Sequence, residues 1–393
     1  MERMRSVVAE GFSLISGGPF HSLLKRVGLI RPDSSGMAYR CASMLALAWL
    51  PLLLITAANG TLAGGVAIPF LMDLSANIRL LVAMPLLLVA ELVIEPRVKA
   101  AAVYFLESGL VRQKDLPQFE AAIAETQRET NSSLVEVCVI LIIAALALGG
   151  LRMELPVTMN TWQASITSAG IERTFAGWWH AVISMSLYQF LVLRWAWRLF
   201  IWGRFLWRMA MLDLNLQPTH PDSAAGLGFL NVTQATFGIL GLSLSCVAAG
   251  SFASSIVFEK AAFEHHEAFA VGLVLINSCI ILIPLAVFIP KLFATKRKGI
   301  REYGVLASRY VNSFDEKWLR REGGQEDLLG SADIQSMADL ANSFGIIRGL
   351  RVTLVDMTSI KAVVMASALP LVPLYLSQYD LKQLLGRLIG LIL

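Results

Sequence analysis

The chain has 393 residues, of which 56% are hydrophobic and only 16% charged, with a mean hydropathy of +0.62. Soluble domains usually carry about a quarter charged residues, so this composition excludes an ordinary soluble protein. The formal net charge of +4 identifies no partner until it is mapped onto loops.

Apolar runs long enough to cross a bilayer recur along the chain, and roughly 18 or more such residues suffice for one crossing. Because backbone groups in hydrocarbon must satisfy their own hydrogen bonds, we expect helices. The predicted fold is therefore all-α, a polytopic transmembrane helix bundle of six to seven spans with cytoplasmic helical insertions. Six spans are predicted near 41–58, 79–95, 134–150, 177–203, 227–257 and 268–290.

A shorter apolar run near 362–377 contains Pro370 and Pro373. It is either a kinked seventh span or a re-entrant hairpin, and the hairpin requires protein or water around it.

Lysine and arginine counts predict the orientation. Four segments of the chain hold 25 of these residues, whereas the three segments that alternate with them hold 3. Basic residues are enriched in cytoplasmic loops, so we expect a cytoplasmic N-terminus. The basic segments are 1–40, 96–133, 204–226 and 291–361, and the others are 59–78, 151–176 and 258–267.

These boundaries also divide the chain into functional segments. Pro96 is expected to end the second span. Basic and acidic residues are too evenly mixed in 291–361 for a nucleic-acid binder. The segments are a cytoplasmic N-terminal arm (1–40), spans one and two (41–95), a cytoplasmic helical insertion (96–133), spans three to six (134–290), a cytoplasmic helical segment (291–361), and the seventh span or hairpin with an interfacial amphipathic helix, Leu381 to Leu393 (362–393).

Ionisable residues inside spans are costly and are candidates for function. Glu91 and Glu95 lie four residues apart in the second span, and Arg194 and Arg198 have the same spacing in the fourth. Residues four apart share a helix face, so we predict an intramembrane charged layer in which a glutamate faces an arginine. A structural ion pair and an ion pathway are both consistent with this pattern.

The segment before the fifth span is distinctive. His220 and Asp222 precede Gly226 and Gly228, and Asp222 or Ser223 is suited to cap the helix that follows. A helix N-terminus with nearby glycines suits an anion such as a phosphate, lipid headgroup or halide. The alternative is an ordinary cap whose glycines let neighbouring helices pack.

Two further patterns concern packing and metals. Small residues recur every fourth position in the fifth span, which predicts that another helix crosses closely, within the chain or between subunits. They are Gly241, Ser245, Ala249 and Ala253. The run Glu264–Glu267 contains two adjacent histidines, but these point in different directions on a helix. We therefore predict no metal site and no other cofactor, and His180 is interpreted as an interfacial residue.

Two motifs together resemble uncharacterised bacterial inner-membrane proteins of this length. One is His220-Pro221-Asp222 followed by Gly226-Leu227-Gly228-Phe229-Leu230, with Ala225 where the resemblance leads us to expect another glycine. The other is Asp339-Leu340-Ala341-Asn342-Ser343-Phe344 followed by Arg348 and Arg351 before the last apolar run. The resemblance covers the C-terminal half and implies a location and a topology, but no activity.

The chain contains no P-loop, GxSxG or HExxH motif. We therefore interpret it as an inner-membrane channel or transporter for an ion or small solute, working as a homo-oligomer among membrane lipids, with no nucleic-acid partner. One alternative is a protein that binds or modifies lipid headgroups at the cytoplasmic leaflet through His220 and Asp222. Another is a membrane-anchored sensor or assembly protein acting through 291–361.

Overall fold

The computed structural model describes residues 11–15, 17–19, 22, 35–152, 159–168, 170–260, 262, 264–320 and 332–377. Within them the chain is almost wholly helical, which confirms the predicted all-α bundle. The predicted interfacial helix Leu381 to Leu393 and much of the arm 1–40 lie outside the described residues.

The helices follow one another through short loops and turns. They are α1 Ser35–Ala48, α2 Leu50–Ala58, α3 Leu74–Ile78, α4 Met84–Glu107, α5 Leu116–Thr130, α6 Ser133–Arg152, α7 Phe175–Trp179, α8 Met185–Met211, α9 Phe229–Ala235, α10 Gly238–Phe258, α11 Glu264–Leu282, α12 Ile289–Trp318, α13 Ala332–Gly349, α14 Met357–Ala368 and α15 Val372–Leu376. Two π-helical turns, Arg79–Ala83 and His180–Ser184, join α3 to α4 and α7 to α8, and 3₁₀ turns cover Phe70–Met72, Gln113–Asp115, Ile283–Phe288 and Leu369–Leu371.

Six helical stretches of the described chain are long and apolar enough to cross a membrane. They match five of the six predicted spans and the shorter seventh. The stretches are Gly36–Ala58, Leu74–Glu107, Gln113–Gly150, Phe229–Phe258, Glu264–Trp318 and Met357–Leu376.

The predicted fourth span is also helical, from Phe175 through the π turn to Met211. It is less apolar than the others because it contains His180, Arg194, Arg198 and several tryptophans. Its α8 packs against α4, α5 and α6, so it lies inside the bundle, where neighbouring helices shield its polar side chains.

The last apolar run is a kinked helical stretch that does not reverse between Met357 and Leu376, as the kinked span among the two alternatives requires. Gly238 of α10 faces Val363 and Ala366 of α14, and further along α10 Gly241 faces Ser367. Still further, Ala249 shares an apolar cluster with Leu371. The two stretches therefore run in the same direction without a reversal.

Pro96 does not end the second span, because α4 continues through it to Glu107. The proline removes one intrahelical hydrogen bond, but Ile94 and Val98 on either side are fully buried. Ring contacts of Phe105 with Phe205 and Phe229 hold the extension against the rest of the bundle. Packing on both sides of the proline thus outweighs its local cost.

The two ends of the bundle differ. At the end that we call the hairpin end, β1 (Ala164–Thr167) and β2 (Gly170–Arg173) form an antiparallel hairpin that sequence patterning did not predict. At the opposite end, the loop end, the loop of residues 212–228 contacts the turn between α4 and α5 and the long helix α12, which packs on α13. In the middle, α4 contacts both α8 and α10.

Candidate functional site

A buried carboxylate ties three helices together. Glu91, about midway along Leu74–Glu107, is 7% exposed and accepts a hydrogen bond from Arg198 Nη1 of α8 at 2.9 Å. Its other oxygen accepts from Arg40 Nη1 of α1 at 2.6 Å. Arg198 is 3% exposed, and its guanidinium lies 4.8 Å from the ring of Trp195. Two cations therefore stabilise the Glu91 carboxylate away from solvent, and the Trp195 ring stabilises one of those cations.

The predicted charged layer is present in part. Glu91 faces Arg198, as the spacing predicted, but Glu95 contacts Lys99 at 3.2 Å and the backbone N–H of Leu14 at 3.2 Å. Arg194 lies close enough to Glu91 for their charges to interact. Arg40 was not predicted to belong to this layer, because it precedes the first apolar run and was counted with the basic arm.

A small cavity of about 30 Å³ opens beside these residues. Arg194, Arg198 and Glu136 line it together with Leu14 and Gly17 of the arm. A buried water needs about 10–15 Å³, so the cavity has room for about two waters or one small ion. We call Arg40, Glu91, Glu136, Arg194 and Arg198 the charge centre.

The charge centre contains three arginines and two glutamates, so it carries one excess positive charge when all five are ionised. Within the described chain, Arg198 Nη2 is buried and has no hydrogen-bond partner, and the same holds for Arg40 Nε. A buried donor without a partner costs about 1–3 kcal/mol or more when charged. The arrangement therefore suits an acceptor, either a water or an anion.

The predicted motif near residue 220 forms a tight loop before the helix. Asp222 Oδ1 accepts from the amides of Ala224 at 2.8 Å and Gly226 at 3.1 Å, and Oδ2 accepts from that of Gly228 at 2.8 Å. His220 Nδ1 lies 2.9 Å from Asp222 Oδ1. The helix itself begins at Phe229, so the expectation that Asp222 or Ser223 caps it directly was wrong.

Backbone conformation explains the residue pattern of this loop. Ser223, Ala225 and Gly226 have φ values of 52°, 56° and 95°, which are strained for side chains other than glycine. Ala225, at the position where another glycine was expected, therefore adopts the conformation that a glycine favours. A Cβ on Gly228 would come within 2.9 Å of Asp222 Oδ2, so this glycine permits the close approach of the carboxylate.

The two motifs that carried the family resemblance meet in space. The Arg351 amide donates to the carbonyl of Ser223 at 2.9 Å, and its guanidinium donates to the carbonyl of Asp222 at 3.2 Å. Arg348, on α13, lies against the ring of Phe344 at 5.2 Å. The loop of 218–228 is thus locked to the segment that enters the last span.

The pKa of Asp222 is lowered below its ordinary value. Burial is the largest single influence and raises the pKa, but the hydrogen bonds from the amides of Ala224, Gly228 and Gly226 and from His220 together outweigh it. The carboxylate therefore stabilises the fold above the ordinary carboxyl pKa, and this contribution is lost as the pH falls through the lowered pKa.

Replacing Asp222 by alanine is expected to lower the free energy of unfolding by about 1–3 kcal/mol, because three amides lose their acceptor. The melting temperature of the purified protein at neutral pH measures this, with His220→Ala as the matched control of small effect. The gap between wild type and Asp222→Ala should narrow only as the pH falls below the ordinary carboxyl pKa of about 4. A gap that already narrows well above this pH, or that persists in strong acid, contradicts the proposed role of the carboxylate.

The ladder of small residues on α10 lies at helix contacts within the chain. A Cβ on Gly241 would collide with Ser367 of α14 and touch Ile281 of α11. Ser245 Oγ accepts from Asn277 Nδ2 of α11 at 3.4 Å, and Ala249 is buried, whereas Ala253 is half-buried. These residues shape the packing and do not line the charge centre.

A second polar cluster, which the sequence analysis missed, closes the hairpin end. Asp73 Oδ2 accepts from Trp162 Nε1 at 2.9 Å and from Gln163 Nε2 at 3.2 Å. His180, which was expected at the interface, is 6% exposed and lies against the Trp162 ring at 5.3 Å. Arg79 Nη1 lies 3.1 Å from Met185 Sδ. Loop residues supply most of these partners, so helical periodicity gave no signal.

Among the residues that the structure describes, no three His, Cys, Asp or Glu side chains come together to hold a metal ion. Comparison with known proteins adds no assignment: no family model matches the chain, and no curated protein or solved structure resembles it. Function must therefore be argued from the site itself.

Proposed function

We propose that this membrane protein transports a small monovalent anion and binds it in the cavity of the charge centre. The observation that supports this is the buried Arg198 Nη2, a donor without a partner among the described residues, in a cluster with one excess positive charge. An anion in the cavity neutralises that charge and accepts the hydrogen bond. A water molecule in the cavity can also accept this hydrogen bond, but it does not neutralise the excess positive charge.

The size of the cavity narrows the substrate class. About 30 Å³ accommodates a halide or nitrate, but not a lipid headgroup or a sugar. Thr130 and Ser132 lie on the cavity wall. The Ser132 hydroxyl can donate to an anion, whereas the Thr130 hydroxyl already donates to the carbonyl of Thr126 at 2.9 Å. We take chloride and bromide as probes of this class.

We further propose that the loop end faces the cytoplasm of a bacterial inner membrane, that the protein forms homo-oligomers, and that membrane lipids are its remaining partners. The count of 25 basic residues against 3 supports the orientation. The resemblance of the two motifs supports the membrane.

Single cysteines test this topology. At positions 72, 160 and 262, which are exposed at the hairpin end, they are expected to react with an impermeant thiol reagent added outside intact cells. A cysteine at the exposed position 312 on α12 is expected to react only after the membrane is opened. The reverse pattern inverts the orientation.

The two alternatives use other parts of the molecule. A site for lipid headgroups at His220 and Asp222 is less favoured, because three backbone amides occupy the Asp222 carboxylate. A sensor or assembly role would act through α12 and α13, where Lys317 pairs with Asp333 at 2.9 Å. Neither alternative gives a reason for the charge centre.

Anion-dependent stability tests the proposal on the purified protein. Replacing gluconate by bromide at constant ionic strength should raise the melting temperature of the wild type, since a ligand that binds only the folded state stabilises it. Arg194→Gln should abolish this rise. Arg204→Gln is the matched control, because Arg204 lies on the same helix but pairs with Glu129 outside the cavity. Equal responses in all three proteins overturn the proposed site.

A further inference from the structure

The N-terminal arm is buried where it meets the bundle. Phe12, Leu14 and Ile15 are 0%, 1% and 9% exposed. The Phe12 ring packs against Phe205 of α8 at a centroid distance of 4.8 Å. Apolar side chains of an arm before the first span thus fill a gap between transmembrane helices.

Two hydrogen bonds between described residues attach this part of the arm to the bundle. The Leu14 amide donates to Glu95 Oε2 at 3.2 Å, and the Gly18 amide donates to Asn131 Oδ1 at 3.1 Å. Residues 12–15 belong to no helix or strand. Withdrawing them therefore breaks apolar contacts and the Leu14–Glu95 hydrogen bond, but no helix or strand.

The same residues form a wall of the charge centre's cavity. Leu14, Ile15 and Gly17 line the same space of about 30 Å³ as Arg194 and Arg198. Gly17 approaches Asn131 so closely that a Cβ would collide with its side chain, and Gly18 has a φ of 85°. The chain turns sharply there, directly after the buried residues.

We propose that residues 12–15 are a plug that closes the cavity at the loop end and withdraws when the cavity exchanges its anion. This inference rests on the proposed function, and it assigns the regulation of the site to a segment of this chain. Truncating an apolar side chain of the plug weakens its packing and shifts the equilibrium between the closed and open cavity toward the open state. We expect one such truncation to change the ratio of open to closed molecules by roughly tenfold or more.

Chemical labelling tests the plug without measuring transport. The background is a chain whose four native cysteines are replaced and whose melting temperature matches the wild type. Val139→Cys then places a thiol on the cavity wall, and inside-out vesicles receive an impermeant thiosulfonate. Leu14→Ala should raise the labelling rate roughly tenfold or more. Leu134→Ala, on an exposed site of α6, is the control and should leave the rate unchanged. An unchanged rate in Leu14→Ala overturns the plug.

A second measurement leaves the plug contacts nearly intact. Leu14→Cys and Leu206→Cys each place one thiol at a fully buried position, in the arm and in α8. If the plug withdraws, the thiol introduced at position 14 reacts with the reagent, while the thiol introduced at position 206 stays protected. Equal protection at both positions shows a permanent core and contradicts the inference. Because neither assay uses an anion, the plug and the anion site can fail separately.

Discussion

Replacing Glu91 by glutamine is expected to destabilise the protein by about 3–5 kcal/mol, the usual effect of removing one partner of a buried ion pair. The change leaves Arg198, which is 3% exposed, and Arg40 without their counter-charge. The helices hold these two guanidinium groups inside the bundle, so they cannot move into water. The free energy of unfolding in detergent measures the effect.

The double change tests whether the pair is the cause. Glu91→Gln with Arg198→Gln should cost clearly less than the sum of the two single changes, because it removes both charges together. Arg204→Gln is the control, since its pair with Glu129 is half-exposed and such pairs contribute about 0–1 kcal/mol. Additive losses in the double variant show that Glu91 and Arg198 do not interact as described.

The second large effect concerns the anion itself. Replacing Arg194 by glutamine should raise the chloride concentration that gives half-maximal flux by roughly 10–100-fold, because a hydrogen bond to a charged group contributes about 1.5–3 kcal/mol. Arg194→Lys keeps the charge and should retain part of the affinity. Uptake into reconstituted vesicles over a series of chloride concentrations measures this.

The outcome is informative only if the variant folds. Its melting temperature without anion should therefore stay close to that of the wild type. A half-saturating concentration unchanged in Arg194→Gln removes this residue from the site, even if the maximal rate falls.

The architecture could be predicted because it follows from hydrophobic length, which acts locally along the chain. The pairing of Glu91 with Arg198 was predictable for a related reason: charges inside a bundle need partners, and both lie in spans. The role of Arg40 was not predictable, because a basic residue before an apolar run can equally well contact lipid headgroups. Its position was decided by the packing of α1 against α4.

The remaining differences also arise from tertiary contacts. Four residues from Phe12 to Ile15 are too few for a periodic pattern, so nothing in the sequence indicated their burial. The loop at Asp222 contained the expected residues, but its carboxylate binds amides two to six positions ahead instead of capping a helix. The local chemistry of Pro96 predicted the end of a helix, but packing on both sides of the proline allows the helix to continue.

Chloride efflux from sealed vesicles that contain only the purified protein tests the central claim most directly. We expect the wild type to release chloride far faster than protein-free vesicles, the Arg204→Gln control to behave like the wild type, and Arg194→Gln to be strongly impaired at low chloride. Efflux equal to that of protein-free vesicles, from protein whose melting temperature shows it to be folded, contradicts the assignment of the charge centre as an anion transport site.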